Sequence, residues 1–591
     1  AMASFLTGVA NPNQWGEYEV SPHFSTQNYR WGGFAQDNFK VSRKLTINAG
    51  LRYDLEIPRT ERYNKMSWFD PNQSIGIHPA AIPTSDWVYQ NAAGNTVAMP
   101  FAIPDVTSPK GGLVFASSAQ RHIIDTAYKD FGPRVGLAYQ WTQKVVLRAG
   151  YGLFYNPTQW GTTGAGPVGN EGFQATTSWV TTKDSDGSTP WGFIKNPFPT
   201  GIMMPTNATL GNMTNIGLGI TEAQRNENIP PYTQTWSAGF QWEFPASTLV
   251  DVNYLGTKGT HLYFNSAGGL QYLGTWVEQE ATNPDLRTAL GTMVPNPYYG
   301  VITSIGCGIC GPNIAAGNLI KPYPQINGLN TVNPPWANSI YNALQIKVEK
   351  RMRQGLQLMV TYTAAKSIDD ASMSTSTGWI GGFGQMRDPN NRKLERSLSE
   401  WDIPQVFQFS YIWQLPVGRG KRWGSSMNAI LDGFIGGWQT SGIWRFDNGM
   451  PASVGVTGAT APWGYSVTNP DQIARLTINP KSEWMTKGYF FMGGQGALAI
   501  PPPYSVGNAS RMEPNTRVPG TSNATLALFK DIPLSKMREG SKLQIRAEAF
   551  NALNHPQFGG IANTFGNGNF GDVQSQVNVP RQIQMGLQLY F

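Results

Sequence analysis

The sequence predicts an all-β chain that forms a transmembrane antiparallel β-barrel with long extracellular loops. Three observations predict this fold: segments of alternating apolar and polar residues, short turns that alternate with very long loops, and a charge-poor, aromatic-rich composition. Charged residues make up 14% of the chain, against roughly 25% in ordinary soluble domains. No run comes close to the roughly 18 apolar residues that a membrane helix needs, which excludes a helical membrane protein.

The C-terminal segment RQIQMGLQLYF (581–591) shows the alternation most clearly. Apolar side chains at every second position share one face of a strand, and mostly polar ones share the other. In a soluble sheet the apolar face points inward, whereas in an outer-membrane barrel it faces lipid and the polar face lines a wet lumen. The terminal residues also resemble the signal by which barrels are recognised for membrane insertion: Leu587, Leu589, Tyr590 and Phe591.

Similar segments recur in pairs along the chain. They are about 9 to 12 residues long, as a tilted strand must be to cross a bilayer, whereas soluble strands usually run about 5 to 6 residues. Aromatic residues lie near the segment ends, where a barrel has its two interfacial girdles. The predicted strands are 29–40, 45–54, 134–141, 145–155, 232–243, 248–256, 340–351, 356–366, 405–415, 438–446, 523–532, 543–553 and 581–591.

Long loops separate these pairs and give the predicted orientation, because bacterial barrels have short periplasmic turns and long extracellular loops. Residues 4–9 (SFLTGV) are predicted to be the upper end of one more strand, which brings the count to about 14. An open sheet would leave two unpaired edges in hydrocarbon. Either these strands close by themselves, or an upstream part completes a larger barrel. The predicted outer loops are 55–133, 156–231, 257–339, 367–404, 447–522 and 554–580.

The net charge of +7 comes from scattered basic residues, so no nucleic-acid partner is predicted. The densest basic cluster, Arg419-Gly420-Lys421-Arg422, is typical of a solvated turn, with a phosphate-binding patch as the alternative. The five histidines include no pair at metal-ligand spacing, and neither an HExxH nor a GxSxG motif occurs. The sequence therefore predicts no metal site, no cofactor and no enzyme activity.

Cys307 and Cys310 form a CxxC in a predicted extracellular loop. They are the only two cysteines and their predicted location is oxidising, which favours a small loop disulfide over a redox motif or a zinc site. The loops also carry tryptophans that either stack on sugars or hydrophobic peptides, or pack the loops internally. The candidates for solute contact are Trp68, Trp87, Trp160, Trp179, Trp276, Trp336, Trp379 and Trp463.

Several segments resemble one known family. They are WGGFAQDNFKVSRKLTINAGLRYDL (31–55), FGPRVGLAYQ (131–140), LRAGYGLFY (147–155), YNALQIKVEKR (341–351), VTYTAAKSIDDAS (360–372), LPVGRGKRW (415–423), GGWQTSGIWRFDNGMP (436–451), RAEAFNALNHPQF (546–558) and PRQIQMGLQLYF (580–591). Together they resemble the barrel of Oar-like TonB-dependent outer-membrane receptors, which are numerous in Acidobacteria. One departure is Asp402-Ile403-Pro404-Gln405, where that family usually has Asp-x-Arg-His.

The resemblance implies a barrel of about 22 strands filled by an N-terminal plug and preceded by a small carboxypeptidase-regulatory-like domain. It also implies a TonB box that couples the receptor to the TonB energy complex of the inner membrane. None of these N-terminal parts is in residues 1–591. The chain is therefore expected to be the C-terminal part of such a barrel.

Three functions fit these observations, and all place the chain in the outer membrane of a Gram-negative bacterium. The first is a TonB-dependent receptor that takes up a large or scarce solute of the glycan, peptide or siderophore class. The second is a structural or surface-interaction barrel that displays its loops for adhesion or assembly. The third is a passive porin. Each would contact membrane lipid and need the barrel-assembly machinery; a soluble sugar-binding or hydrolytic β-protein is the alternative outside the membrane.

Overall fold

The computed structural model of the chain describes residues 6–9, 16–21, 24–156, 169–179, 190–221, 229–263, 271, 282–304, 307–330, 334–371, 386–388, 391–461, 468–490, 496–534 and 540–591. Within these residues, one antiparallel sheet of 14 strands dominates, and all but one of its strands pair in sequence order. We label the strands of this path β1 (Thr26–Lys40), β2 (Leu45–Glu61), β3 (Phe131–Gln140), β4 (Val145–Tyr155), β5 (Tyr232–Phe244), β6 (Thr248–Leu262), β7 (Ala337–Arg353), β8 (Leu356–Asp369), β9 (Gln405–Gln414), β10 (Trp438–Asp447), β11 (Ser522–Pro533), β12 (Lys542–Phe550) and β13 (Gln582–Tyr590).

The predicted all-β fold is confirmed, and every strand predicted from 29 onward is present. β4 coincides with the predicted 145–155, whereas β2 runs past the predicted end at 54 to Glu61. The predicted strand at 4–9 is wrong for residues 6–9: residues 6–7 are helical, and Val9 makes an isolated bridge to Phe193. Residues 4–5 lie outside the described residues. The last member of the sheet is instead the short strand Ser397–Leu398, which pairs with the end of β8.

The loops contain short elements of their own, which pair mostly with other loop segments. The α-helices are α1 (Pro284–Gly291), α2 (Ala316–Leu319), α3 (Ala429–Ile435) and α4 (Trp484–Lys487), and the 3-10 helices are Thr84–Asp86, Gly211–Met213, Arg392–Glu395 and Lys481–Glu483. The other short strands are Glu17–Val20, Ser67–Ser74, Val88–Gln90, Thr96–Ala98, Lys110–Phe115, Ala175–Ser178, Gly219–Thr221, Met293–Pro295, Asn313–Ala315, Gly328–Asn330, Gly455–Val456, Asp471–Gln472, Leu498–Ala499, Phe558–Ile561, Thr564–Phe565 and Val573–Gln576. No helix in the described part of the chain is long and apolar enough to cross a membrane.

The register of the sheet carries the apolar and polar alternation from strand to strand. Tyr139 of β3 lies opposite Leu147 of β4, which lies opposite Phe240 of β5, so apolar side chains continue along one face. This face is exposed rather than packed against another layer. The exposed side chains on it include Leu51, Val135, Leu137, Tyr139, Tyr151, Phe240, Trp242, Tyr254, Leu344, Phe407, Trp413, Leu528, Ile583, Met585, Leu587 and Leu589. An exposed apolar face of this extent suits lipid, not water.

The hydrophobic core lies in the loops rather than in the sheet. A first loop cluster is formed by buried side chains from loops 62–130, 156–231 and 263–336, including Phe69, Trp87, Ile220, Leu290 and Tyr298. A second loop cluster joins loops 448–521 and 551–581. Long loops with independent cores present a fixed surface at the end of the sheet away from the short turns.

Candidate functional site

The polar face of the sheet carries pairs of opposite charges. Arg52 and Asp54 of β2 lie 2.7 Å apart, and Lys542 of β12 lies 2.7 Å from Asp531 of β11. Further pairs on this face are Arg30–Glu56, Lys347–Glu349, Arg445–Asp447 and Arg546–Glu548. Partly exposed ion pairs contribute little to stability, and their consequence here is a hydrophilic face.

A cavity of about 430 Å³ lies against the sheet between β3 and β6. The guanidinium of Arg134 lies 4.5 Å from the centre of the Phe154 ring. That ring covers Gly152, where a Cβ would lie 2.8 Å from a ring carbon, so only glycine leaves room for it. The other polar side chains that line the cavity on the same face are Thr235, Ser237, Asn253 and Thr257. This wall offers one cation and several hydrogen-bonding groups to a polar solute.

Two of the predicted solute-contacting tryptophans are buried in the loops. Trp87 is 3% exposed; its Nε1 donates to the carbonyl oxygen of Phe101 at 3.0 Å, and the two rings meet edge to face. Trp68 is equally buried, beside Met66 and Ile123. The prediction of solute contact is therefore wrong for Trp68 and Trp87, and the packing alternative describes them.

The remaining predicted tryptophans divide between half-buried side chains and parts that the structure does not describe. Trp336 is half-buried, and the guanidinium of Arg392 lies 5.5 Å from the centre of its ring. Trp179 is half-buried, with its ring close to Gly16. Outside the described residues lie Trp160, Trp276, Trp379 and Trp463.

Exposed aromatic side chains do occur in the loops, at positions that sequence reasoning missed. Trp401 is 60% exposed, and Tyr63, Tyr128 and Tyr299 are similarly exposed. Two cations lie near Tyr63, because Arg62 and Lys65 both approach the centre of its ring within 6 Å. A tyrosine inside a charged turn, as in RYNK (62–65), is the sequence signal that could have identified it.

Cys307 and Cys310 are joined by a disulfide, with their Cα atoms 5.6 Å apart. The bond packs against the first loop cluster. Gly217, at φ +85°, supports this packing, because a Cβ there would lie 2.6 Å from the Sγ of Cys307. The covalent bond closes its own turn, and the close approach of Cys307 to Gly217 places that turn against loop 156–231.

Three arginines connect loop 370–404 with loop 448–521. Buried Arg387 lies 3.2 Å from the Glu395 carboxylate and donates to the carbonyl oxygen of Ala509 at 2.7 Å. Arg511 binds the carboxylate of Asp369, at the end of β8. Arg517 pairs with buried Asp402. Apart from the pair of Arg387 and Glu395, each of these contacts connects residues that are far apart in the sequence.

Burial in the loop clusters shifts the titration of two tyrosines. Burial raises the pKa of the fully buried Tyr298 in the first loop cluster. In the second loop cluster, burial raises the pKa of Tyr489 to about 12. Both phenols stay neutral at physiological pH, which is consistent with a packing role. No group of three or more metal-ligating side chains occurs in the part of the chain that the structure describes.

The C-terminal residues of the predicted insertion signal divide between the two faces of β13. Leu587 and Leu589 are exposed on the apolar face. Tyr590 lies on the polar face, where the ammonium of Lys542 is 4.9 Å from the centre of its ring. Phe591 follows the strand and is exposed. Their role as an insertion signal stays a prediction.

Comparison with known families decides the class of the chain. Residues 1–584 match the outer membrane beta barrel domain. The chain belongs to this family. The exposed apolar face of the sheet is thus the lipid-facing surface of an outer-membrane barrel, and the polar face is its lumen side. Its location is the outer membrane.

No curated protein sequence matches this outer-membrane barrel. Among solved structures, it is similar to the ferric-catecholate import receptor Fiu of E. coli K12, at TM-score 0.36 and 9% identity, over 96% of this chain and 45% of that one. It is also similar to the pyoverdine outer-membrane receptor FpvA of Pseudomonas aeruginosa PAO1, at TM-score 0.37 and 10% identity, over 97% and 44% of the two chains. A third is the outer-membrane transporter YddB of Escherichia coli, at TM-score 0.37 and 8% identity, over 95% and 54%. The barrel spans about half the length of these structures.

Proposed function

We propose that this chain is the C-terminal barrel portion of a TonB-dependent outer-membrane receptor, which takes up a large or scarce solute of the glycan, peptide or siderophore class. The observation that carries this proposal is the pre-formed loop surface above a hydrophilic lumen face. A receptor for a scarce solute benefits from fixed loops, because less conformational entropy is lost on binding. The two loop clusters supply such a surface.

Exposed aromatic side chains and the cavity give this surface its chemistry. Trp401, Tyr63 and Tyr299 present rings that stack on sugars or on apolar parts of a peptide. The cavity beside Arg134 offers a guanidinium and hydroxyl groups lower on the wall. This combination suits a solute with hydroxyl or carboxylate groups, which fits all three proposed classes.

The rest of the assembly is proposed from the sequence resemblance. An upstream part of the protein would supply further strands, to about 22 in all, a plug and a TonB box. The partners are then the TonB complex, the barrel-assembly machinery and the extracellular solute. The long loops of this chain are also compatible with a second function, a barrel that displays the two loop clusters for surface adhesion. Rigid loops serve that purpose equally well.

Consumption of solutes from the medium tests the proposal. We would grow wild-type cells, a strain lacking this protein and a strain lacking TonB in the same conditioned medium, and measure the remaining solutes by mass spectrometry. We expect at least one solute to disappear with wild-type cells and to persist with both mutants. Intact mass and N-terminal sequencing of the protein from purified outer membranes would identify the upstream part.

The other outcomes separate the competing functions. A solute that persists only in the strain lacking this protein would overturn energised import and favour a passive porin. Identical consumption by all three strains, together with loss of surface attachment in the first mutant, would favour the adhesion barrel. A rescue with the Trp401→Ala variant shows whether the exposed loop surface takes part, because that side chain packs little against the rest of the protein.

A further inference from the structure

The connection between β9 and β10 differs from the other short turns because it carries helix α3 (Ala429–Ile435). It lies at the short-turn end of the sheet, since Trp413 at the end of β9 pairs with Leu356 at the start of β8. Asn428 caps the helix, with its side chain accepting the N–H of Leu431 at 2.8 Å. A helix this short is not stable alone, so contacts must hold it.

One face of α3 is apolar and exposed. Ile430 and Phe434 are 77% and 74% exposed, and Leu431 and Ile435 are also exposed. These four positions, spaced i, i+1, i+4 and i+5, share one side of a helix. The opposite side carries small residues and Asp432. Exposure of these apolar side chains to water would be energetically unfavourable, whereas a membrane interface would bury them.

Two side chains of the sheet fix α3 on the lipid side. Trp438 and Lys530 lie opposite each other on β10 and β11, on the same face as exposed Leu587. Trp438 Nε1 donates to the carbonyl oxygen of Phe434 at 2.8 Å. Lys530 Nζ donates to the carbonyl oxygen of Gly433 at 2.6 Å. The helix is therefore attached to the outer surface of the barrel, not to its lumen.

Lys530 has a specific reason to lie on an apolar face. Its Nζ also donates to the carbonyl oxygen of Gly436 at 2.7 Å and lies 5.5 Å from the centre of the Trp438 ring. The last carbonyls of a helix lack intrahelical partners and attract a cation. Lys530 is itself buried. Its hydrogen bonds supply partners for the carbonyl oxygens at the end of the helix and, at the same time, stabilise the buried ammonium group.

A basic segment adjoins this helix. The backbone N–H of Arg419 donates to the carboxylate of Asp432 at 2.7 Å, which ties the segment to α3. The side chains of Arg419, Lys421 and Arg422 are exposed, and Trp423 beside them is 55% exposed. Basic side chains bind anionic lipid headgroups, and tryptophan prefers the membrane interface.

We propose that α3 is an interfacial helix, which inserts Ile430, Leu431, Phe434 and Ile435 into the periplasmic leaflet of the outer membrane. The basic segment then binds the phosphates of phospholipid headgroups. Lipid is the partner of this helix, because the apolar face of α3 continues the lipid-facing surface of the sheet. The positive charge of the basic segment is complementary to anionic headgroups. This proposal takes the phosphate-binding alternative rather than the solvated turn that the sequence favoured. This inference rests on the outer-membrane location alone and is independent of transport.

Fluorescence quenching tests the position of the apolar face. The full-length protein is reconstituted in nanodiscs of phosphatidylethanolamine and phosphatidylglycerol, with the fluorophore NBD attached to Phe434→Cys. Gln143→Cys, in the short turn between β3 and β4, is the matched control because that turn carries no helix. The two native cysteines are disulfide-bonded and do not react with the label.

We expect nitroxide groups near the top of the lipid acyl chains to quench the label at 434 severalfold more than the label at 143. Aqueous iodide should show the reverse order. Equal iodide quenching at both positions would overturn the proposal. Protection at 434 from both iodide and lipid nitroxides would also overturn it, because a protein would then cover the helix. Heat-modifiable migration in gels verifies that each variant is folded.

The headgroup contact has a separate test. In the triple variant Arg419→Gln, Lys421→Gln, Arg422→Gln, the backbone N–H that binds Asp432 is retained. Electron paramagnetic resonance with spin-labelled lipids measures the preference of the protein for phosphatidylglycerol over phosphatidylcholine. We expect the triple variant to lose most of this preference while the label at 434 stays quenched by lipid. An unchanged preference would overturn the phosphate-binding part of the proposal.

Discussion

At the scale of single residues, burial assigns different roles to the aromatic side chains of the loops. Trp87 lies in the first loop cluster, which also contains side chains from distant parts of the sequence, such as Leu290 and Tyr298. Trp401 is mostly exposed. Composition and spacing could not distinguish these roles, because burial of a loop side chain depends on which other loops fold over it. The burial of Trp87 and the exposure of Trp401 are therefore visible only in the structure.

Replacing Trp87 by alanine should destabilise the first loop cluster by about 3–5 kcal/mol, because a large buried side chain leaves a cavity. Near-UV circular dichroism during denaturant unfolding of the full-length protein in detergent would measure the loss. Trp401→Ala is the matched control, with an expected change within about 0.5 kcal/mol. Equal destabilisation by both variants would contradict this division of roles.

Asp130 makes the stability of its loop depend on pH. Burial, and then the nearby carboxylates of Asp54 and Glu56, raise the pKa of Asp130 to about 6. An unfolded aspartate has a pKa of about 3.9, so the folded state binds this proton more tightly than the unfolded state does. The contribution of Asp130 to stability is therefore most favourable at low pH and is lost as the pH rises from about 4 to about 6.

The Asp130→Asn variant should remove this loss. At pH 7.5 we expect residues 125–132 to open about fivefold less often than in the wild type, or about 1 kcal/mol after allowance for solvent screening. At pH 4 the two proteins should open equally often. Hydrogen exchange, corrected for the chemical exchange rate at each pH, measures the opening. A variant that keeps the wild-type pH dependence would show that another group is responsible.

At the scale of elements, the strands could be predicted because their pattern is local. In β4, for example, alternation alone gives both ends of the strand. The pattern fails where structure depends on distant partners. Segment 4–9 has a strand-like composition, but in its described part Val9 bridges to Phe193 and does not join the sheet. Helix α3 was not predicted because Lys530, which holds it, lies far along the chain.

Arg387 joins two loops, because it pairs with Glu395 in its own loop and donates to the carbonyl oxygen of Ala509 in loop 448–521. Its replacement should therefore loosen both loops. Arg387→Met leaves a buried carboxylate without its cation, which costs about 3–5 kcal/mol. Limited proteolysis should then cut loops 386–396 and 507–511 much faster than in the wild type. Lys487→Met is the control, because its pair with Glu483 is exposed. Unchanged proteolysis of the Arg387 variant would contradict a joining role.

The disulfide closes a very short loop, and its removal should therefore have a limited effect. The chain-entropy relation gives about 2 kcal/mol for a closed loop of about four residues. The Cys307→Ser, Cys310→Ser variant should lose about this much stability in the first loop cluster. The second loop cluster should be unaffected, since the pair packs only against the first in the described residues. Destabilisation of both clusters would mean that they are coupled.

At the scale of the whole molecule, the sheet has two edges. Among the described residues, β1 pairs only with β2, and β13 pairs only with β12. Side chains on both faces of these two strands are exposed. The number of strands that close the barrel could not be predicted from the sequence. Alternation identifies each strand, but it does not show which strand pairs with the free edge of β1 or of β13. Unpaired edges are not viable in hydrocarbon, so in the membrane these two edges must pair either with each other or with further strands.

We expect those strands to come from an upstream part of the same protein, and hydrogen exchange can test this. In the full-length protein in nanodiscs, the amides of β1 and β13 should be protected at least a hundredfold more than in the chain 1–591 alone. The amides of β5, which has two neighbours in both forms, serve as the internal reference and should be equally protected. If the chain alone protects β1 and β13 fully, these strands pair with each other. The barrel would then close without added strands, and a small passive pore would replace the larger plugged receptor.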